Sequence, residues 1–450
     1  MSNPFAPPAG PESASASASA GPPSGVRWLV LTWLCALSGI LYIDRICISA
    51  AITPMQAELG LSNTRISYVL MAFTLAYGLF EIPTGRWGDR IGPRRVLTRI
   101  SIWWSAFTVL TGLCTGLYSL ILVRFLFGAG EAGAFPNAAR VVSRWFPTQE
   151  RGRVQGILLA ASQAGGALSP FLASWLILTV GWRSAFAVFG VLGFLWALGF
   201  YAWFRDEPEE HPGVSAEELS HIRRSTAAAS SQHAAIPWGA VFSSLSVVLL
   251  SLIMICASFN SYIYFSWFLK YLQAARGVGQ SQAGLLSSVV LACAALGTLA
   301  GGWSLDITGA AKSPFGRRLH GSFCFLAATA LLYLALQQDE VIVAVTLTGL
   351  SCFFTQATQS LWWSCAIQIS GRHVGALFGL MNSVGVFGAL SSQFLVGALA
   401  DHFAEQGLSG REQWDPIFLI NCGVLITAAA LWGLFVQKPV EDAPEIDAVP

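Results

Sequence analysis

The stretch Gly85-Arg86-Trp87-Gly88-Asp89-Arg90-Ile91-Gly92-Pro93-Arg94-Arg95 packs four arginines and one aspartate into a few residues and is bounded on both sides by long apolar runs. Its glycines allow two helices to approach closely, and its Asp and Arg side chains are able to form a breakable cluster at one face of the molecule. Outward from this knot the chain is poor in charge. Of 450 residues, 54% are hydrophobic and 11% charged, against about 25% charged in a soluble domain. Runs such as Trp28 to Ile43 and Phe186 to Phe204 read as parts of membrane spans of about 20 residues each.

Several function classes are disfavoured at this level. A formal net charge of +1 gives no bias toward nucleic acid. The nine cysteines fall within or beside apolar runs without a Cys-x-x-Cys pair, so they read as small hydrophobes rather than metal ligands. The six histidines sit in loops or at span ends, which leaves a buried metal centre without ligands. Neither a phosphate loop nor a dinucleotide-binding glycine pattern is present, and no cofactor is expected.

Residues 1–25 are rich in Pro, Ala, Ser and Gly and are expected to form a disordered tail. Twelve helices follow, over roughly 28–52, 64–86, 96–116, 118–142, 152–178, 184–204, 240–270, 281–306, 319–338, 340–363, 372–400 and 415–436. They divide six and six, giving an N-terminal bundle (26–204), a charged solvated linker (205–238), a C-terminal bundle (239–437) and a short tail (438–450). With the N-terminus placed inside, 18 of the 25 Lys and Arg residues fall in inner segments and five in outer ones. Cytoplasmic loops carry that excess, so both termini and the linker are expected in the cytoplasm, and the protein in the inner (plasma) membrane.

A weaker copy of the opening motif, Gly302-Trp303-Ser304-Leu305-Asp306, lies in the second half, followed by Lys312, Arg317 and Arg318. Gly397 and Asp401 match the same short spacing on the opposite face. With this motif and twelve helices in two bundles, residues 28–436 resemble the major facilitator superfamily. The resemblance implies an all-α integral membrane fold of two six-helix bundles, working as a monomer. A narrower resemblance, to the anion:cation symporter branch, rests on Tyr42-Ile43-Asp44-Arg45, on the run Arg124 to Pro136 containing Gly128, Gly130 and Glu131, and on Trp145-Phe146-Pro147 followed by Glu150-Arg151-Gly152. Members of that branch are similar to proton-coupled importers of organic anions.

Ionisable groups inside a span are costly and are usually functional and paired. Asp44 and Arg45 stand midway along helix 1. Arg124 and Glu131, seven residues apart on helix 4, share a face. The resemblance places all four at one central cavity, where protonating Asp44 or Glu131 would free an arginine to grip a carboxylate through two parallel hydrogen bonds. Arg45 and Arg124 are therefore candidate anion ligands, and Asp44 and Glu131 candidate proton carriers. Glu81, one turn before Gly85, reads as a structural residue that could snorkel or pair with nearby arginines.

Tyr77, Gln163 and Asn382 match positions that the resemblance assigns to substrate contact. Tyr262 and Tyr264 of helix 7 and Gln359 of helix 10 are further candidates, though each such polar side chain could serve helix packing instead. Gly85, Asp89, Arg90, Gly92, Arg94 and Arg95 form the expected conformational gate. The leading reading is a proton-coupled importer of a small organic anion such as a sugar acid. An exchanger or drug exporter of the same fold is the alternative. An integral-membrane enzyme is disfavoured because the spans carry no nucleophile beside a base and no metal-binding pattern.

Overall fold

In lipid a backbone has no water to satisfy its polar groups, so spanning segments close their hydrogen bonds internally as helices. The structure, a computed structural model, describes residues 24–223, 238–370 and 374–438, and every regular element among them is helical. The expected tail (up to residue 23), residues 224–237 of the linker and 439–450 lie outside the described residues.

The first half comprises α1 (Val26–Leu59), α2 (Asn63–Ile91), α3 (Pro93–Leu113), α4 (Leu117–Glu131), α5 (Ala134–Trp145) and α6 (Thr148–Trp203). A short surface helix, α7 (Ala216–Arg223), follows. The second half comprises α8 (Trp238–Ser243), α9 (Leu245–Tyr262), a π-helical segment (Ile263–Trp267), α10 (Phe268–Ala274), α11 (Gln280–Thr308), α12 (Pro314–Leu336), α13 (Val341–Ser370), α14 (Val374–Glu405) and α15 (Gly410–Leu434). Ten helical stretches among the described residues are long and apolar enough to cross a membrane. The 56-residue α6 is two crossings joined at Gly181, whose φ of 79° breaks the helix. α2, whose C-terminal end carries the charged motif, supplies the twelfth crossing.

Helix 4 departs from the continuous span expected over 118–142. It stops at Glu131, turns at Gly133 with φ 87°, and restarts as α5. Pro136 accounts for the break. In an unbroken helix its ring would clash with the carbonyl of residue 132, whereas in the first turn of α5 it is tolerated. Helix 7, expected over 240–270, contains the π-helical segment, a geometry found mostly as short insertions at functional positions.

Small residues set the packing. Gly165 of α6 lies against the Gly39 backbone of α1, and Gly128 of α4 against the Phe73 carbonyl of α2, so a Cβ at either place would strike main chain. Within the halves α1 and α3 pack on α6, α2 on α4, α11 on α13, α12 on α13 and α15, and α9 on α14. The halves meet through α6 on α11 and α2 on α14.

The molecule has two faces. The terminal face holds Val26, Trp203, Leu245 and Leu434. At the opposite face the chain turns through the left-handed glycines Gly60, Gly277 and Gly407. The hydrogen bonds described between the halves lie toward the opposite face. Asp401 of α14 accepts from the backbone N–H groups of Asn63 (3.0 Å) and Thr64 (2.7 Å) and from the Asn63 amide (2.9 Å). Ser67 donates to the Gln393 carbonyl (2.7 Å), and Thr74 to the Gln393 side chain (3.0 Å). Gln280 donates to Ala50 O (2.9 Å). The molecule is thus closed at the opposite face.

Candidate functional site

Arg45 stands in the middle of α1, and the end of α4 brings Glu131 to it. Arg45 Nε donates to Glu131 Oε1 at 2.9 Å, and its Nη2 pairs with the same oxygen. The Arg45 side chain keeps 13% exposure and that of Glu131 only 1%, so the pair has a wetter cationic end and a dry anionic one. Three rings surround the guanidinium: Tyr77 at 4.6 Å, Tyr42 at 5.0 Å and Phe73 at 5.4 Å. Each ring face attracts the cation without satisfying its N–H groups, which leaves Arg45 oriented and still able to donate. Tyr262 reaches this cluster from α9 of the other half. The second oxygen of Glu131 has no hydrogen-bond partner among the described residues.

Asp44 and Arg124 do not join the Arg45–Glu131 pair directly. Both side chains are almost completely buried, at 1% exposure. Asp44 faces Trp104 and Thr108 of α3, with Arg124 beside it. Arg124 lies over Phe127 (4.3 Å) and Phe73 (5.2 Å). Among the described residues neither Asp44 oxygen has a hydrogen-bond partner, nor have Nε and Nη1 of Arg124. The four charges expected in one cavity therefore form two centres, with Glu131 acting on both. Neighbouring residues on a helix point about 100° apart, and that is why Asp44 and Arg45 diverge.

Tyr262 and Tyr264 separate for the same reason. Tyr264 is buried in the second half near Cys352 and Cys422, away from Arg45. Gln163 of α6 and Gln359 of α13 are half-buried. Asn382 is on α14, and Gly85 and Asp89 are in the last turns of α2; what surrounds them lies outside the described residues. Of the remaining gate residues, Arg90 and Arg95 are exposed. Gly92 and Arg94 are tied within the first half: Asp206 packs on Gly92 and accepts from the Arg94 N–H (2.8 Å), while Arg94 Nε donates to Tyr201 O (3.0 Å).

Two members of the central cluster were not expected there. Tyr42 is one turn before Arg45 on α1. Glu81, read as a structural residue able to snorkel or pair with arginines, lies with Tyr77 and acts on Arg45. The signal was available in the spacing, since Tyr77 and Glu81 are four residues apart and share a helix face.

Two helical bundles, one with the Arg45–Glu131 ion pair buried at its centre, meeting at one sealed face, have the architecture of a membrane transporter. The sequence pattern of the Major Facilitator Superfamily matches residues 34–392. The chain belongs to the major facilitator superfamily and is a multi-pass membrane protein, a transporter rather than an enzyme. It is 32% identical over 436 residues to the probable sulfoacetate transporter SauU of Cupriavidus necator, covering 93% of this chain and 97% of that one. It is 29% identical to the probable L-galactonate transporter of Escherichia coli, over 90% of this chain and 88% of that protein. A solved bacterial homologue of the human lysosomal transporter Spinster, inward-facing and unoccupied, superposes with a TM-score of 0.76 at 20% identity, over 91% and 96% of the two chains.

Proposed function

We propose that this protein imports a small organic anion, a carboxylate or sulfonate of the sugar-acid or sulfoacetate class, across the inner membrane with protons. The observation that carries the reading is the Arg45–Glu131 pair at mid-membrane, with the arginine at its more exposed end. A proton on Glu131 removes the charge that holds Arg45, and the freed guanidinium is then available to an anionic substrate through two parallel hydrogen bonds. Release of the substrate lets the pair close again as the proton leaves. Proton and anion are thereby exchanged for an internal ion pair, and the buried site stays near neutrality throughout the cycle.

Tyr42, Tyr77 and Tyr262 offer hydroxyls to the body of the substrate, and the half-buried Gln163 and Gln359, with Asn382 of α14, are the remaining candidates. Asp44 and Arg124 act from behind, through Glu131. The relatives named for sulfoacetate and galactonate transport support an anion as cargo. The basic residues in alternate loops support a cytoplasmic terminal face. On that orientation the closure at Asp401 and Gln393 is periplasmic, and the structure is the state that delivers to the cell interior. The boundaries 26–204 and 239–437 then mark the two bundles that rock about this site.

Proteoliposomes carrying the purified protein test the reading. An imposed inward proton gradient is expected to drive accumulation of labelled sulfoacetate or galactonate, with collapse on adding a protonophore. Accumulation indifferent to the protonophore would replace symport with exchange, and a wholly inert anion panel would remove the anion assignment.

A further inference from the structure

At the opposite face, above the closure between the halves, is a cavity of about 470 Å³ that no step of the proposed cycle uses. Its polar lining comes from both halves: Thr53, Gln56, Ser62 and Asn63 on one side, Lys270 and Gln413 on the other. Lys270, in α10, is half-buried, and its ammonium donates to Thr53 Oγ1 at 3.3 Å. Thr53 in turn donates to Gln273 at 2.5 Å. An ammonium has three N–H donors, so a single neutral hydroxyl leaves most of its capacity unused.

Three acids of this neighbourhood are engaged elsewhere, and Glu405 and Glu412 do not line the cavity. Asp401 is taken by the first turn of α2, Glu58 by Trp182 and Arg183, and Asp415 by Tyr271 and Arg411. Among the described residues no carboxylate pairs with Lys270, and the partner of its ammonium is the Thr53 hydroxyl. The amides beside it are also committed, Gln56 to Asn63 and Gln413 to the Ala400 carbonyl. The cavity therefore presents one uncompensated cation in a polar, partly dehydrated wall. Thr53 is eight residues beyond Arg45 on α1, about 12 Å at 1.5 Å per residue.

We propose that the Lys270 cavity is a capture site for a small carboxylate or sulfonate on the opposite face, occupied before the anion reaches Arg45. The proposal rests on the transport reading above and deepens it. With the halves closed here, Lys270 is held by Thr53. When they part, the Thr53–Lys270 and Thr53–Gln273 bonds break, and the ammonium turns from a bridge between the halves into a free anchor at the mouth of the opened path. A positive charge in a low-dielectric cleft concentrates anions and speeds their capture.

The chain contains three lysines, at 270, 312 and 438, and the other two are on the terminal face, so chemical modification reads the site directly. Purified protein in detergent is treated with an acetylating amine reagent, and acetylation of each lysine is followed by peptide mass analysis. Lys270 is expected to react, and sulfoacetate or galactonate at millimolar concentration to slow its reaction at least about fivefold, with Lys312 and Lys438 unaffected. Galactose, and sodium chloride at matched ionic strength, should give no protection. An unreactive Lys270, the absence of protection, or equal protection by chloride would each overturn the proposal.

In proteoliposomes Lys270→Gln should raise the KM for the transported anion about tenfold while Lys270→Arg keeps it near wild type; a wild-type KM in Lys270→Gln would also overturn the proposal. The two assays separate the failures. If no anion is accumulated the transport reading falls, while the protection measurement still decides whether the cavity binds anions.

Discussion

At comparable depth in the membrane the two halves are built from different chemistry. In the first half the middle of the bundle holds Asp44, Arg45, Arg124 and Glu131. In the second half the same zone holds a neutral chain: Asn421 donates to Asn260 Oδ1 at 2.9 Å, and the Asn260 amide donates to Thr355 at 3.4 Å, with all three residues buried. A buried ion pair is sensitive to a proton or an anion because either one uncovers the partner charge. A neutral amide network has no such sensitivity and fixes helix positions instead. On the proposed cycle the contrast gives response to the first half and support to the second.

The largest expected effect comes from deleting a charge of the responsive half. Glu131→Gln keeps an acceptor for Arg45 but fixes the neutral state, so proton-driven accumulation should fall below about a tenth of wild type, while exchange of labelled for unlabelled substrate persists. Breaking a buried pair costs ~3–5 kcal/mol where no substitute is offered, so a stability check accompanies the two assays. Asp44→Asn asks whether the rear centre is coupled to the front one. Wild-type accumulation in both variants would make all four charges structural.

Next in size is Arg45→Lys, which preserves charge and loses the planar fork. Hydrogen bonds to charged groups are worth ~1.5–3 kcal/mol, so equilibrium binding of the substrate anion should weaken roughly 10- to 100-fold in the folded protein. Unchanged affinity would take Arg45 out of the site.

The supporting half is tested by Asn421→Ala, which leaves the Asn260 carbonyl without its donor at a cost of ~1–3 kcal/mol. Thermal unfolding should move down while the pH profile of transport stays in place. A shifted profile would break the comparison, because it would show the neutral network taking part in coupling.

The smallest effect is expected at the terminal surface of the first half. His211 lies edge-on to Trp203 (4.7 Å) and Trp145 (5.9 Å), and its Nδ1 accepts from the Gly213 N–H at 3.1 Å. Burial, with Arg205 adding to it, holds its pKa below the usual histidine value. Since the folded value is the lower one, the contribution of the neutral ring is present above the ordinary histidine range and is lost as pH falls through it. Protonation would place a hydrogen on the accepting nitrogen. Proteolysis within 208–223 should therefore quicken modestly between pH 7.5 and 5, and His211→Phe should abolish that dependence.

How far the sequence disclosed this arrangement depends on which geometric rule applied. Span positions followed from hydropathy, and the face shared by Arg124 and Glu131 followed from a seven-residue spacing. Adjacency along the chain misled: Asp44 follows Ile43 and precedes Arg45, yet the helix sends the two charges to different centres. The stop after Glu131 was legible in Gly133 and Pro136, and Glu81 in its spacing from Tyr77. The pairing of Arg45 with Glu131 was not legible, since it depends on how α1 and α4 are rotated against each other. Nor was the cavity at Lys270, which exists through contact between segments more than 200 residues apart in the chain.

The bond that Asp401 makes across the closed face has a kinetic consequence. The first N–H groups of any helix lack partners within it, and for α2 those of Asn63 and Thr64 are satisfied by a side chain of the other half. Each parting of the halves at this face returns those two amides to water, where deuterium replaces hydrogen. Where reclosing is slower than chemical exchange their exchange ticks once per opening, and where it is faster it reads the open population. Read in the peptide around residue 63, it would time the opening of this face without a ligand or a flux.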